Sequence, residues 1–173
     1  EASAIVSSLR QVGIERVVML TGDHEYAAKR VALATGLDEY RASLLPADKV
    51  VAIEELSRSH GATAMVGDGV NDAPALATAG VGIAMGAIGS DVAIETADIA
   101  LMSDDIARVP WLISHAKRTL NIIRQNVALA LGTKLAVLLL AAFGVTSLWM
   151  AIAADMGTSL LVIANALRLL RNR

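Results

Sequence analysis

Residues 67–76 read GDGVNDAPAL, the most informative motif of the chain. It follows the apolar run ATAMV at 62–66, which is typical of a buried strand, and it leads into a short helix predicted over 72–79. Such a glycine-rich loop brings two carboxylates and an amide close to the end of a strand. Carboxylate and amide oxygens suit Mg²⁺, with water and phosphate completing its coordination. The alternative is an ordinary turn that caps the helix. The loop predicts cofactor-binding residues at Asp68, Asn71 and Asp72, with Asp68 and Asp72 as the Mg²⁺ ligands.

Two shorter motifs precede this loop. TGD at 21–23 follows RVVML at 16–20, a predicted strand, and a threonine hydroxyl and backbone N–H groups there would bond a phosphoryl oxygen. PADK at 46–49 opens a predicted helix, whose lysine would offset the charge of a phosphoryl group. Alone, the first is equally a common turn and the second a solvated lysine. Together and in this order they predict catalytic residues at Thr21, Gly22, Asp23 and Lys49.

Further helix and strand patterns surround these motifs. Apolar residues recur at helical spacing over 2–13, 24–35 and 47–59, and short apolar runs at 81–85 and 99–102 are strand candidates. Strands that alternate with helices predict a parallel α/β sheet, with chemistry at the carboxyl ends of its strands.

The last third of the chain differs sharply in composition. A long helix predicted over 106–125 carries basic residues and leads into an apolar segment at 127–144, long enough to cross a bilayer of about 30 Å. A turn at 144–147 precedes a second apolar segment at 148–167. Arginine and lysine flank both outer ends, and the turn has neither, so the positive-inside rule places both ends and the α/β region in the cytoplasm. The alternative is a buried helical hairpin of a large soluble protein.

The overall composition excludes some classes of function. The chain has 173 residues, is 55% hydrophobic, and has a formal net charge of −2 with only 3% aromatic residues, so neither electrostatics nor base stacking favours a nucleic-acid partner. It has no cysteine, which excludes a disulfide framework and a zinc finger. It begins inside a predicted helix without a start methionine or leader, so we expect a piece of a longer polypeptide.

Two opposite charges lie inside the predicted spans. Lys134 and Asp155 are 11 and 10 residues from the turn near residue 145, about 15 Å at helical rise, which puts both near the midplane. A charge at that depth is costly and is by default a candidate for function. The spacing predicts either an ion pair that only locks the hairpin or a shared polar cavity.

The three motifs together resemble the phosphorylation domain of P-type ATPases, within the haloacid-dehalogenase-like superfamily. The segment GIAMG…SDVAIETADIAL at 82–101 also matches the end of that domain. The resemblance implies that Thr21 and Lys49 hold the phosphoryl group, that Asp68 binds Mg²⁺, and that Asn71 and Asp72 complete the loop. The family's nucleophilic aspartate, in a DKTGT motif, is absent from this sequence, so the resemblance implies that it lies upstream, with the nucleotide-binding domain.

The spans resemble one subgroup, the zinc/cadmium/lead-exporting heavy-metal ATPases, through Asn126, Lys134 and the DMG at 155–157. The resemblance implies that Asp155 binds the transported ion and that Lys134 is its counter-charge. A carboxylate suits Zn²⁺ or Cd²⁺ better than Cu⁺, which prefers sulfur.

The sequence therefore predicts a partial Rossmannoid α/β phosphorylation domain at 1–105, a connecting helix at 106–125 and two transmembrane helices with a basic tail at 126–173. The predicted function is ATP-driven export of Zn²⁺ or Cd²⁺, and potentially Pb²⁺, through an aspartyl-phosphate, with Mg²⁺ and ATP as cofactors. The partners are the metal ion, the lipid bilayer, here the bacterial plasma membrane, and the upstream remainder of the polypeptide. The alternatives are a pump for copper or potassium, a soluble phosphatase of the same superfamily, and a non-catalytic membrane module.

Overall fold

The structure, a computed structural model, describes residues 2–68, 71–86 and 95–170. The chain divides into two compact units, Glu1–Pro110 and Trp111–Arg173. The predicted divisions at 105 and 125 remain a prediction, because a single helix runs from Arg108 to Ala142.

The first unit alternates helices and short strands, as the sequence predicts. Each predicted helix is present, with ends that shift by one or two residues. The helices are α1 (Ala2–Gln11), α2 (Glu25–Thr35), α3 (Pro46–His60) and α4 (Ala73–Thr78). The strands are β1 (Val18–Leu20), β2 (Glu39–Arg41), β3 (Ala64–Gly67), β4 (Val81–Ala84) and β5 (Ile99–Ala100).

The strands form two parallel sheets within the described residues. In one, β1 pairs with β2, with Met19 opposite Tyr40. In the other, the order is β3-β4-β5, with Val66 opposite Ile83 and Ile83 opposite Ile99. Parallel neighbours need a crossover connection, and α2 and α4 supply it between β1 and β2 and between β3 and β4. The expectation of a parallel α/β fold is confirmed.

Strand β2 is the element that the sequence does not predict. It has three residues, Glu39, Tyr40 and Arg41, all half-buried. Arg41 pairs with Glu39 at 3.0 Å and with Glu55 of α3 at 2.7 Å. The Tyr40 hydroxyl donates to Glu25 of α2 at 2.7 Å, and this bond raises the pKa of Tyr40. Charged partners on neighbouring helices hold this strand, so its own sequence lacks the apolar run that marks a strand.

A small apolar core supports the loop at 67–76. Leu76 of α4 is fully buried, and Ile53, Met65, Ala75 and Ala84 pack with it. Leu20 at the end of β1 and Val50 of α3 pack against this cluster. A Cβ at Gly82 in β4 would lie 2.6 Å from the Leu76 carbonyl oxygen, which is too close. The glycine therefore allows α4 to pack directly against β4. The core thereby packs β1 and β3, the strands that precede the TGD and GDGVND motifs, against α3 and α4.

A groove of ≈ 760 Å³ runs along β1 and β3. Val18 and Leu20 line it from β1, Ala64 and Val66 from β3, and Ile53 from α3. In the described part of the chain, β1 has β2 as its only strand neighbour and β3 has β4. Each of the two strands therefore has one edge with no strand beside it, and both strands face the same groove.

The second unit is a helical hairpin. Helix α5 (Arg108–Ala142) has 35 residues and α6 (Leu148–Ala166) has 19, followed by a 3₁₀ turn at Leu167–Leu169. Gly144 takes φ 71° in the turn, and the Ser147 hydroxyl caps α6 by accepting from the Met150 N–H. Both helices are long and apolar enough to cross a membrane, with a mean hydropathy of 1.6 in the most apolar window of each. The predicted pair of apolar helices is confirmed.

Polar side chains join the two helices at the end away from the turn. The Asn165 amide donates to the Asn126 side-chain oxygen at 2.8 Å and to the Gln125 oxygen at 3.3 Å. The Arg118 guanidinium donates to the Arg168 carbonyl oxygen at 3.0 Å, one of the carbonyls that the end of a helix leaves unpaired. These contacts fix the register of α5 against α6.

Candidate functional site

The ends of the parallel strands carry the predicted phosphate-binding residues. Thr21 follows the last residue of β1, and Asp68 follows the last residue of β3. Because both strands line one groove and pack against one core, their carboxyl ends open on the same edge. Thr21 is half-buried and Asp68 is exposed, so an anion and a cation can reach them from solvent.

The loop at 21–23 presents the Thr21 hydroxyl as a donor. The Asp23 N–H donates to the Thr21 side-chain oxygen at 3.1 Å. The hydroxyl oxygen thus already accepts one bond and keeps its own proton as a donor for a phosphoryl oxygen. Gly22 and Asp23 are exposed beside it.

A neighbouring loop that the sequence does not mark holds this turn. The Ser43 N–H donates to the Asp23 carbonyl oxygen at 2.8 Å, and the Leu44 N–H donates to the Thr21 carbonyl oxygen at 3.1 Å. Ser43 has a positive φ of 54°, which is uncommon for a residue with a side chain. A serine before an apolar pair carries no turn signature strong enough to reveal this support from sequence.

Lys49 and Asp72 form the tightest polar contact of the site. Their Nζ and Oδ1 atoms are 2.6 Å apart, and the two side chains are only 16% and 15% exposed. Burial to that degree limits screening by water, so the carboxylate holds the ammonium group in place. The structure therefore brings together two predicted site residues that are 23 positions apart.

Asp48 has a local structural role. Its carboxylate accepts from the Leu45 N–H at 2.9 Å, which satisfies a donor that the start of α3 would otherwise leave unpaired. The bond fixes the first turn of α3 and hence the position of the next residue, Lys49. An aspartate three positions into a helix is the sequence signal for such a cap.

The loop of Asp68 fits the expected magnesium site in part. The Asn71 N–H donates to the Asp68 Oδ1 at 3.4 Å, and both residues are exposed. Asp72 has one oxygen on Lys49, and its Oδ2 lies 2.9 Å from where a Cβ on Gly67 would be, so the glycine makes room for it. Among the described residues no three histidine or acidic side chains form a metal cage, so Mg²⁺ here would need ligands from phosphate, water or another segment.

Lys134 and Asp155 line one cleft of ≈ 310 Å³ between α5 and α6. The described residues show no salt bridge between them. The two side chains thus share a cleft, and their role at an ion site stays a prediction. Ala130, Ala151 and Ala154 also line the cleft, and their small side chains leave its volume open.

Parts of the sequence patterns lie outside the described residues. Gly69 and Val70 of the GDGVND loop, residues 87–94 of the segment at 82–101, and Arg171 and Arg173 of the basic tail are among them. Asp98 is described, and its carboxylate accepts from the Gly82 N–H at 2.8 Å, which connects the residues before β5 to β4.

Comparisons with known proteins agree with this arrangement. The family model of the haloacid dehalogenase-like hydrolases matches residues 1–80. A probable cadmium-transporting ATPase of Staphylococcus aureus is 47% identical over 167 residues, which cover 96% of this chain and 23% of the relative. A manganese-exporting P-type ATPase of Mycobacterium bovis is 46% identical over 100% of this chain and 24% of its own length. The chain thus spans about a quarter of the length of these curated relatives.

The similarity extends to the three-dimensional structures of solved proteins. The crystal structure of a zinc-transporting PIB-type ATPase in the E2.Pi state superposes with a TM-score of 0.88 at 48% identity. The match covers 97% of this chain and 27% of that protein. The α/β unit and the apolar hairpin therefore occur in one polypeptide in a solved relative as well.

Proposed function

Because this chain belongs to the heavy-metal-transporting P-type ATPase family, we propose that it is part of a pump that exports a divalent metal ion, Zn²⁺ or Cd²⁺, at the expense of ATP. The observation that carries the proposal is the coexistence of two sites in one chain. One is a strand edge with a lysine fixed by an aspartate, and the other is an apolar helical hairpin whose lysine and aspartate share a cleft.

At the strand edge, the side chains would bind and orient a phosphoryl group. The Thr21 hydroxyl donates to one phosphoryl oxygen, and the Lys49 ammonium, held by Asp72, stabilises the negative charge that grows during transfer. Asp68 would hold Mg²⁺, with Asn71 and Asp72 shaping its loop. The ion, when bound, neutralises phosphate charge.

The phosphorylated residue would come from another part of the polypeptide. Both β1 and β3 line one groove, and Thr21 and Asp68 directly follow the last residues of these two strands. A further parallel strand in this groove would end between those residues, which is where an aspartyl-phosphate would have to form. The greater length of the relatives supports such a segment, together with a nucleotide-binding domain.

The hairpin would cross a bilayer with its basic ends on the cytoplasmic side. Arg118 and Arg168 meet at the end away from the turn, and Trp149 beside the turn is 79% exposed. Basic residues favour the cytoplasmic face, and tryptophan favours the membrane interface. The bacterial relatives support the plasma membrane as the location.

At mid-membrane, Asp155 would bind the transported ion, and Lys134 would neutralise the carboxylate after the ion leaves. A carboxylate suits Zn²⁺ and Cd²⁺, and it also suits Mn²⁺, so the manganese-exporting relative makes Mn²⁺ the second candidate. Copper is disfavoured because the cleft lining contains no sulfur ligand among the described residues.

The test is metal-stimulated ATP hydrolysis by the full-length protein in vesicles, with Zn²⁺, Cd²⁺, Pb²⁺, Mn²⁺ and Cu⁺ compared at matched free concentrations. We expect the largest stimulation by Zn²⁺ or Cd²⁺. The Asp68→Asn variant should form no phosphoenzyme from ATP, whereas His24→Gln, an exposed histidine just past the TGD loop, should form it normally. Stimulation by Mn²⁺ alone would reassign the cargo, and phosphoenzyme in Asp68→Asn would remove that residue from the site.

A further inference from the structure

The mid-membrane cleft contains hydroxyl groups besides its two charges. Of the described residues that line it, four have polar side chains, and the others are apolar. Lys134 and Thr133 belong to α5, and Asp155 and Thr158 belong to α6. Neither threonine is part of the charge pair that the sequence predicts, so each adds a hydroxyl group to the cleft beside the two charges.

Both hydroxyl groups already use their protons. Thr133 donates to the Leu129 carbonyl oxygen and Thr158 to the Ala154 carbonyl oxygen, each at 2.7 Å within its own helix. A hydroxyl that has spent its proton retains only acceptor lone pairs. These oxygens are therefore suited to a cation and unable to donate to the Asp155 carboxylate.

A lysine ammonium in this cleft needs several acceptors. It has three N–H donors, and an unpaired charge at membrane depth is expensive. When a metal ion occupies the Asp155 carboxylate, that carboxylate is no longer available to accept from the ammonium. We propose that the Thr158 hydroxyl oxygen then accepts a hydrogen bond from Lys134 and so stabilises the ion-bound state of the pump. This inference rests on the proposed function, because it assumes that Asp155 binds the ion.

The geometry favours Thr158 over Thr133 for this role. Thr158 is three residues beyond Asp155 on the same face of α6, about 4.5 Å along the axis, so a small movement of a flexible lysine exchanges one acceptor for the other. Thr133 also lines the cleft, but it is adjacent to Lys134 on α5 and is rotated from it by about 100° about the helix axis, so it does not lie beside Asp155 on the facing helix. Thr158 is thus a positioning residue for Lys134.

The test measures metal affinity without ATP turnover. In a P-type pump the ion-bound state resists phosphorylation by inorganic phosphate, so the Zn²⁺ concentration that halves this phosphorylation reports affinity at the site. In the full-length protein we expect Thr158→Val to raise that concentration about 10-fold and to leave phosphorylation without Zn²⁺ unchanged. Thr158→Ser, which keeps the hydroxyl, should restore wild-type affinity.

Ser159→Ala is the matched control. Ser159 follows Thr158 on α6 and makes the same kind of bond to its own helix, to the Asp155 carbonyl oxygen at 3.0 Å, but it is not among the residues that line the cleft. We expect wild-type Zn²⁺ affinity in this variant. A 10-fold loss of Zn²⁺ affinity in Ser159→Ala would mean that Thr158→Val acts by disturbing helix packing, and it would overturn the proposal.

A double variant separates Thr158 as a lysine acceptor from Thr158 as a metal ligand. In a Lys134→Met background, Thr158→Val should have no further effect, because the ammonium it serves is gone. A 10-fold loss in that background, or wild-type affinity in the single Thr158→Val variant, would overturn the inference. Asp155→Ala tests the proposed function itself: Zn²⁺ that still suppresses phosphorylation there would remove the ion site, whatever Thr158 does.

Discussion

The two lysine–aspartate couples of this chain differ in how they are held. Lys49 and Asp72 are in contact at 2.6 Å with little exposure, on elements that share one apolar core. Lys134 and Asp155 line a common cleft, and the described residues show no salt bridge between them. The first couple is fixed before any ligand arrives, whereas the second leaves both charges available to exchange partners. On the proposed function this difference is useful. Stabilising a transition state requires preorganised charge, whereas transporting an ion requires a site that can release it.

The largest expected effect separates the two couples by function. Lys49→Ala should lower phosphoenzyme formation from ATP and from inorganic phosphate by roughly 100-fold or more, because on the proposed function it removes a charge that acts on the phosphoryl group itself. Lys134→Ala should leave phosphorylation by inorganic phosphate near wild type and lose metal-stimulated ATP hydrolysis. Radiolabelled phosphoenzyme in the full-length protein measures both. Equal losses in the two variants would mean that the couples act as one site.

A smaller effect tests how tightly the first couple is packed. In Gly67→Ala the new Cβ would lie 2.9 Å from the Asp72 Oδ2, so it should displace the carboxylate and lower phosphoenzyme formation about 10-fold. Gly132→Ala is the control in the hairpin, where the chain places nothing within 4 Å of the added atom. Phosphoenzyme levels at matched protein amounts provide the comparison. Normal formation in Gly67→Ala would show that Lys49 does not depend on the placement of Asp72.

The smallest effect concerns the polar contacts that align the hairpin. Asn165→Ala removes the bonds to Asn126 and Gln125 and should lower stability by about 0.6–1.7 kcal/mol, in the range of interhelical hydrogen bonds in membranes. Asn121→Ala, an exposed amide on α5, is the control. Thermal unfolding of the detergent-solubilised full-length protein measures the difference. An unchanged melting temperature in Asn165→Ala would mean that apolar packing alone, without these hydrogen bonds, fixes the register of α5 against α6.

Sequence patterns predict features that depend on local order. The loop at 67–76, the helices beside it and the two apolar spans follow from residue spacing. The predicted depth of Lys134 and Asp155 follows from counting residues along two helices, and the structure places both in the lining of one cleft. Each of these inferences needs only the periodicity of a helix or strand.

Features that depend on contacts between residues far apart in the chain cannot be predicted from local sequence patterns. Strand β2 pairs with β1 and is joined to α3 by the ion pair of Arg41 with Glu55, and its three residues carry no apolar run. The contact of Lys49 with Asp72 joins two elements that only the apolar core brings together. Thr158 escapes notice because threonine is common in apolar helices, and only its place in the cleft distinguishes it.

Among the described residues, β1 and β3 each have one edge with no strand beside it, and both strands line the same groove. A strand that enters between two open edges gains two ladders of hydrogen bonds at once, twice what it would gain at the rim of a sheet. On the proposed arrangement, that same step delivers the acceptor aspartate to Thr21 and Asp68. Completion of the sheet and the appearance of catalytic competence are then a single event, so a half-folded copy cannot hydrolyse ATP wastefully.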